Sequence, residues 1–249
     1  MKLVIDYGNT LIKTALFRDE SMIDLRLCNN LSSEQLNMLI DEFEYKNSEY
    51  KPIEYAIFSS VVNYADDIKT ILSNRFNFIE LNFKTPLPVT IKYKTPETLG
   101  NDRIAAVVAA SGLFPSTDLL VIDAGTCITY DFINSKSEYI GGGITPGIDM
   151  RFKALNNFTG KLPLVSKTDN AALTGNTTQR SIQSGVLNGI VAEINGIIDR
   201  YKHEFPSIKI IFTGGDVNYF DRKLKNDIFA VSNLVLKGLN IILDYNVEK

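Results

Sequence analysis

The sequence predicts an α/β fold made of two similar halves. One observation is the opening stretch Leu3-Val4-Ile5-Asp6-Tyr7-Gly8-Asn9-Thr10, with a strand candidate from Leu11 to Phe17 after it. Here an apolar run ends in a carboxylate and a small-residue turn. A second observation is that the pattern recurs. Leu119-Leu120-Val121-Ile122-Asp123-Ala124-Gly125-Thr126 has the same build, and a strand candidate from Cys127 to Ile133 follows. The interval from Asp6 to Asp123 is far too long for a solenoid repeat, so it points to duplicated halves. A third corner, Ile210-Ile211-Phe212-Thr213-Gly214-Gly215-Asp216, also ends an apolar run in glycines.

Each corner brings together groups suited to a phosphorylated ligand. Gly8 has no Cβ to hold a ligand away from the main chain. Backbone N–H groups and the side chains of Asn9 and Thr10 can donate to phosphate oxygens. Asp6 repels phosphate but can hold Mg²⁺, directly or through water, and the ion then bridges to the phosphates. Lys13 adds a point charge three residues beyond Thr10. The competing reading is a plain β-hairpin whose Asp, Gly and Asn serve only the turn.

Composition narrows the class. At 249 residues the chain is one large domain or two smaller ones, long enough to bury roughly three-quarters of its unfolded surface. A net charge of −3 and a pI near 5.3 argue against a partner that is nucleic acid or an anionic membrane. Cys28 and Cys127 lie in apolar surroundings without CxxC spacing, so reduced thiols are expected rather than a disulfide or metal site. Asp6 interrupts the first apolar run after three residues, which leaves no signal-peptide core. No apolar run approaches the ~18 residues that span a bilayer. The expected location is therefore the cytoplasm. His203 is the only histidine and stands in a charged run, which disfavours a Ser-His-Asp triad or a His-rich metal site.

Taken in order, Leu3–Ile5, Leu11–Phe17 and Met22–Leu27 read as strands, the third antiparallel. Ser32-Ser33-Glu34-Gln35 reads as a capping box that opens a helix to about Glu44. Ile53–Ser59 reads as a buried strand. Asp66 and Asp67 precede a helix over Ile68–Arg75 and suit its N-terminus. Phe78–Leu81 and Val89–Tyr93 are further strands. Gly100-Asn101-Asp102-Arg103 then opens the strongly apolar helix Ile104–Ala110. Asn101 or Asp102 can be a plain helix cap. A carboxylate and a guanidinium at the mouth of a buried helix also suit a substrate that carries a hydroxyl and a carboxylate.

In the second half, strands Leu119–Ile122 and Cys127–Ile133 lead to Tyr139–Ile140. Gly141 to Gly147 reads as a glycine-rich loop without GxGxxG spacing. A helix over Asp149–Leu155 and a polar loop over Lys161–Asp169 follow. One long helix is expected from Thr177-Thr178 to about His203. Gly185, Gly189 and Gly196 within it cost helix stability, which suggests that another helix packs close, within the chain or across a dimer axis. Strand Ile208–Phe212 and helix Val231–Tyr245 end the chain.

These motifs, together with Gly142-Gly-Ile-Thr-Pro146-Gly147, stand in the order and spacing of a known family. The sequence resembles type III pantothenate kinase, of the acetate and sugar kinase, Hsp70 and actin superfamily, over essentially its whole length. Ile144, Thr145 and Asn101 are bulkier than the family pattern, and no reactive group is lost. The resemblance implies two ribonuclease-H-like (actin-like ATPase) domains with mixed sheets around an interdomain cleft, bounded here at 1–116 and 117–249. It implies ATP-dependent phosphorylation of pantothenate, the first step towards coenzyme A. Carried over, Asp6, Tyr7, Gly8, Asn9, Thr10, Leu11, Ile12 and Lys13 hold the ATP phosphates, with Mg²⁺ at Asp6. Thr126 also meets ATP. Asp102 is the general base, and Tyr93, Gly100, Asn101, Asp102, Arg103 and Thr178 bind pantothenate. Asp123 holds a monovalent cation, K⁺ or NH₄⁺. Arg103 pairs with the substrate carboxylate or with the transferring phosphoryl group. The resemblance also implies a homodimer. Two alternatives are a related kinase or phosphatase acting on a sugar, acetate or polyphosphate, and a nucleotide-binding regulator without turnover. Gly100 to Arg103 argues against the first. Retention of Asp6, Asp102 and Asp123 argues against the second.

Overall fold

The computed structural model describes residues 1–62 and 64–247. The chain divides into two compact units. One comprises Met1–Leu113 and the segment from Asn233 on; the other is Phe114–Ser232.

In the first unit the strands are β1 (Lys2–Tyr7), β2 (Ile12–Arg18), β3 (Ser21–Cys28), β4 (Tyr55–Ser60) and β5 (Asn77–Glu80), with a two-residue β6 (Thr90–Ile91). The sheet runs β3-β2-β1-β4-β5. β2 is antiparallel to β1 and β3, whereas β4 is parallel to β1 and β5. Its helices are α1 (Ser33–Lys46), α2 (Asp66–Arg75) and α3 (Asn101–Leu113), with α8 (Leu234–Val247) from the end of the chain.

Strand alternation sorts the side chains between the two faces. Leu3, Ile5, Ile12, Leu16 and Phe58 pack with Leu36, Ile40 and Phe43 of α1 and Ile68 and Leu72 of α2. The capping box is present at α1: the Ser32 hydroxyl accepts from Gln35 N–H at 3.2 Å, and Ser32 N–H donates to Gln35 Oε1 at 2.8 Å. α3 packs against α8, and α8 also meets β1 and β4. Ile104, Val107 and Val108 are all but fully buried; burial of such a side chain contributes about 1.5–3 kcal/mol. The apolar stretch after Val231 thus has its place in the first unit, not in the 117–249 half that the sequence boundary assigned to it. Its partner is α3, which is apolar around most of its circumference.

The second unit contains β7 (Leu119–Ala124), β8 (Cys127–Ile133), β9 (Glu138–Pro146), β10 (Lys209–Thr213) and β11 (Phe229–Ala230). They follow one another as β9-β8-β7-β10-β11. β8 is antiparallel to β7 and β9, and β10 is parallel to β7 and β11. Strand order and direction repeat those of the first unit, which accounts for the two Asp-containing corners. The helices are α4 (Ile148–Asn157), α5 (Thr178–Gln183), α6 (Gly189–Glu204) and the one-turn α7 (Val217–Phe220). Ile182, Val186, Leu187, Ile190, Ile194 and Ile198 pack on Leu120, Ile122, Ile210 and Phe212 to form the core.

Two expectations for this unit are corrected. Residues 141–146, including the glycines at 141–143, are strand, not loop, because they pair along β8. A Cβ on Gly142 would stand 1.6 Å from Tyr130 O, so the residue that looked like a loop marker is a close-approach position inside a sheet. The long helix is interrupted by a π-helical turn, Ser184–Asn188, between α5 and α6. Its wider turn lets the consecutive residues Val186 and Leu187 both reach the core.

Candidate active site

The first corner is the β1–β2 connection. Asp6 is the last residue but one of β1, is 7 % exposed, and stands opposite Lys13 on β2 and Ser59 on β4. Directly opposed residues share a face of the sheet. Leu11 and Lys13 are half-buried and Ile12 is buried, while Asn9 and Thr10 are exposed. A Cβ on Gly8 would stand 2.8 Å from Leu11 O, so the turn closes this tightly only with glycine. The Tyr7 ring leans on Phe58 and Tyr64, with centroids 6.1 and 6.3 Å away. Its main chain, rather than its phenol, is therefore what it offers the corner.

The second sequence motif opens α3. Leu99 is buried, and Ile104 N–H donates to Gly100 O at 3.1 Å to start the helix. Asp102 is half-buried and Arg103 only 6 % exposed. Asp102 Oδ1 accepts from Arg103 N–H at 2.8 Å. Burial pushes the Asp102 carboxyl above its ordinary value, against the opposing pull of the Arg103 backbone N–H and guanidinium. A Cβ on Gly100 would lie 2.5 Å from Asp102 Oδ1, so glycine leaves that oxygen its space. Asn101 is not a side-chain cap. Its Nδ2 donates to Leu81 O at 2.9 Å and Ser60 O at 3.4 Å. Gly100 and Asn101 line a cavity of about 550 Å³ together with Ser60, Val62, Asn82 and Phe83. Tyr93 is half-buried shortly after β6.

In the second unit the corner is the β7–β8 turn. Asp123 is half-buried and Thr126 exposed. Gly125 N–H donates to Cys127 O at 2.9 Å, Gly147 N–H to Thr126 O at 3.0 Å, and Asp216 N–H to Ala124 O at 3.0 Å. The third sequence corner thus lies against the second. Lys167 Nζ donates to Asp216 Oδ1 at 2.7 Å. Thr178 is exposed at the start of α5, where Thr177 supplies the cap by accepting from Arg180 N–H. The structure therefore gathers 6–13 at one corner, 100–103 at one helix start, and 123–126 with 214–216 at another corner.

Sequence reasoning passed over Arg151 and Glu193. Arg151 donates to Pro146 O at 2.8 Å, Thr145 Oγ1 at 3.0 Å and Glu193 Oε2 at 2.7 Å; Tyr130 Oη donates to Glu193 Oε1 at 3.1 Å. This set braces the end of β9 next to Gly147. No local spacing signals it, because its members come from β8, β9, α4 and α6.

The fitness of these sites for ligands follows from the donors. The Gly8 corner has the backbone N–H groups that a phosphate would use, and Asp6 is the carboxylate that would hold a phosphate-bound Mg²⁺. Among the described residues no group of three or more His, Cys, Asp and Glu is placed to hold a metal. Cys28 and Cys127 are free, and His203 is exposed.

Residues 2–200 match the family model described as type III pantothenate kinase. A type III pantothenate kinase of Phocaeicola vulgatus is 46% identical over 247 residues, covering 99% of both chains. One from Christiangramia forsetii is 43% identical over 246 residues, again covering 99% of both. Among solved structures, a Campylobacter jejuni protein described as a Baf family transcriptional activator aligns over 99% of this chain and 100% of its own, with TM-score 0.61 and 23% identity. A polyphosphate/ATP-glucomannokinase from Arthrobacter aligns over 98% of both chains, with TM-score 0.52 and 13% identity. At those identities the two structures speak to the fold alone.

Proposed function

The chain belongs to the type III pantothenate kinase family, and we propose that it transfers the γ-phosphoryl group of ATP to the primary hydroxyl of pantothenate, yielding 4′-phosphopantothenate and ADP for coenzyme A synthesis. The observation that carries the catalytic assignment is the half-buried Asp102 at the start of α3, with its carboxyl raised by burial and its space kept open by Gly100.

The chemistry follows from the residues. The pantothenate hydroxyl oxygen forms a bond to the γ-phosphorus as the bond to the β–γ bridging oxygen breaks and ADP leaves. The hydroxyl proton passes to Asp102. A loose transition state releases that proton late, so a carboxylate suffices as acceptor, and a raised pKa makes it the better base. Arg103 meets either the pantothenate carboxylate or the phosphoryl group in flight. In the first unit, Tyr93, Gly100 and the main chain of Asn101 contribute to pantothenate binding; Thr178 has the same role.

In the first unit, the corner from Asp6 to Lys13 holds ATP phosphates through backbone N–H groups, Asn9, Thr10 and the Lys13 charge. Mg²⁺, when bound at Asp6, neutralises phosphate charge. In the second unit, Thr126 takes part in ATP binding, and Asp123 holds K⁺ or NH₄⁺. In this reading the protein acts as a homodimer in the cytoplasm.

An acceptor panel tests the reading: ADP release with ATP and Mg²⁺ in the presence of pantothenate, a hexose, or acetate, with the product identified by mass. Phosphopantothenate formed in step with ADP is the expected result. ADP release that follows a sugar or acetate and ignores pantothenate would overturn it.

A further inference from the structure

We propose that Asn101 is a positioning residue that registers the base Asp102 against the phosphate corner 7–10; the assignment rests on the kinase reading above. An asparagine at a helix start ordinarily turns its side-chain oxygen back onto the first helical N–H groups. Here the amide points outward, to the sheet. Both of its N–H bonds go to main-chain carbonyls at the C-terminal ends of two parallel strands: Leu81 O, just beyond β5, at 2.9 Å, and Ser60 O, the last residue of β4, at 3.4 Å. Side-chain donation to substrate is thereby spent.

The contact continues into the first corner. Ser60 is paired in register with Tyr7, and the following Val61 N–H donates to Tyr7 O at 3.3 Å. Tyr7 is the residue immediately before Gly8. A hydrogen-bonded path thus runs from the residue preceding Asp102, through the end of β4, to the main chain of the phosphate corner, all within the first unit. Any slide of α3 along its axis moves Asp102 relative to that corner and breaks the Asn101 pair. Phosphoryl transfer depends on reacting atoms held within a few tenths of an ångström, and a misplacement near 1 Å costs about 10²-fold. Asn101 lies at the wall of the 550 Å³ cavity along with Ser60, so water can take over the amide's bonds when the side chain is removed and the fold can persist.

The test is the kinetic profile of the whole protein with Asn101→Ala and Asn101→Asp, each checked by thermal melting. Asn101→Ala is expected to lower kcat about 10-fold or more while KM for pantothenate and for ATP stays within about twofold, because alignment and not binding is lost. Asn101→Asp keeps the shape but sets a carboxylate against two carbonyl oxygens. Its kcat deficit relative to the parent is expected to narrow from pH 8 to pH 5.5, as protonation restores one donor. A purely structural role would not produce that pH dependence. Should the alanine variant fail to fold, Asn101→Ser, whose hydroxyl reaches one carbonyl, carries the same expectation of a kcat-selective loss. A raised pantothenate KM with parental kcat would overturn the proposal and make Asn101 a substrate ligand. Parental values for both would overturn it outright. A parent protein inactive on pantothenate would instead bring down the kinase reading and this inference with it.

Discussion

Gly147 and Gly125 meet backbone to backbone: a Cβ on Gly147 would stand 2.1 Å from Gly125 O and 2.6 Å from Thr126 O. The chain leaving β9 therefore forms one wall of the second corner, and the Gly147 N–H bond to Thr126 O seals it. Gly147→Ala must push the turn aside. We expect a loss of about 1–3 kcal/mol in urea unfolding, as for overpacking elsewhere, together with a raised KM for ATP. Gly196 is the control, since a Cβ there meets no atom of the described residues within 4 Å. Gly196→Ala should gain up to about 1 kcal/mol from helix propensity and leave KM alone. Equal effects of the two substitutions would contradict the role given to Gly147.

Asp102 carries a stability cost alongside the catalytic role proposed for it. Its carboxyl is raised in the folded chain, chiefly by burial, so the folded protein binds that proton more tightly than the unfolded chain does. The native state consequently loses stability as pH rises through the raised value, and it regains it as pH falls towards the ordinary carboxyl range near about 4. Asn keeps the acceptor for Arg103 N–H without the charge. Asp102→Asn should therefore melt higher than the parent at pH 7, with the gap closing at acid pH. A lower melting temperature for the variant at pH 7 would show that Arg103 compensates the burial in full.

The cation assigned to Asp123 gives a separate prediction. Turnover in K⁺ buffer should fall several-fold on exchange for Na⁺, whereas Asp123→Asn should be slow in both. Rates that do not respond to the exchange would leave the kinase in place and remove the cation from Asp123.

Gly185 and Gly189 face open space in the single chain, as a Cβ on either meets no atom of the described residues within 4 Å. Among the described residues no close helix contact meets these glycines, and the contact with a second copy is the explanation put to the test. Gly185→Leu should fold normally and shift the sedimentation coefficient towards monomer. A dimer that survives unchanged would place the dimer contact elsewhere.

Much of the fold was readable because its signals are local. The Ser32–Gln35 capping box, the apolar runs of β1, β4 and β7, and the buried face of α6 each announce themselves within a few residues. The duplication was readable because two corners share one residue pattern. What was not readable depends on contacts distant in sequence. Gly142 looks like a loop residue until Tyr130 O is found beside it. α8 joins the first unit because α3 needs a partner on its second face. The Asn101 bonds end on main-chain carbonyls of Ser60 and Leu81, which no side-chain pattern can mark. Arg151 and Glu193 meet across four elements. Asp6, Asp102 and Asp123 stand out in the sequence because each lies at or next to the edge of an apolar run, two residues from a glycine.

The assignment of Asp102 as proton acceptor is tested most directly by the turnover of Asp102→Asn with saturating ATP, Mg²⁺ and pantothenate, alongside its ATP dissociation constant. The account predicts a fall in kcat of at least about 10²-fold with ATP affinity within about twofold of the parent. Turnover close to that of the parent would contradict it and require another group to receive the proton.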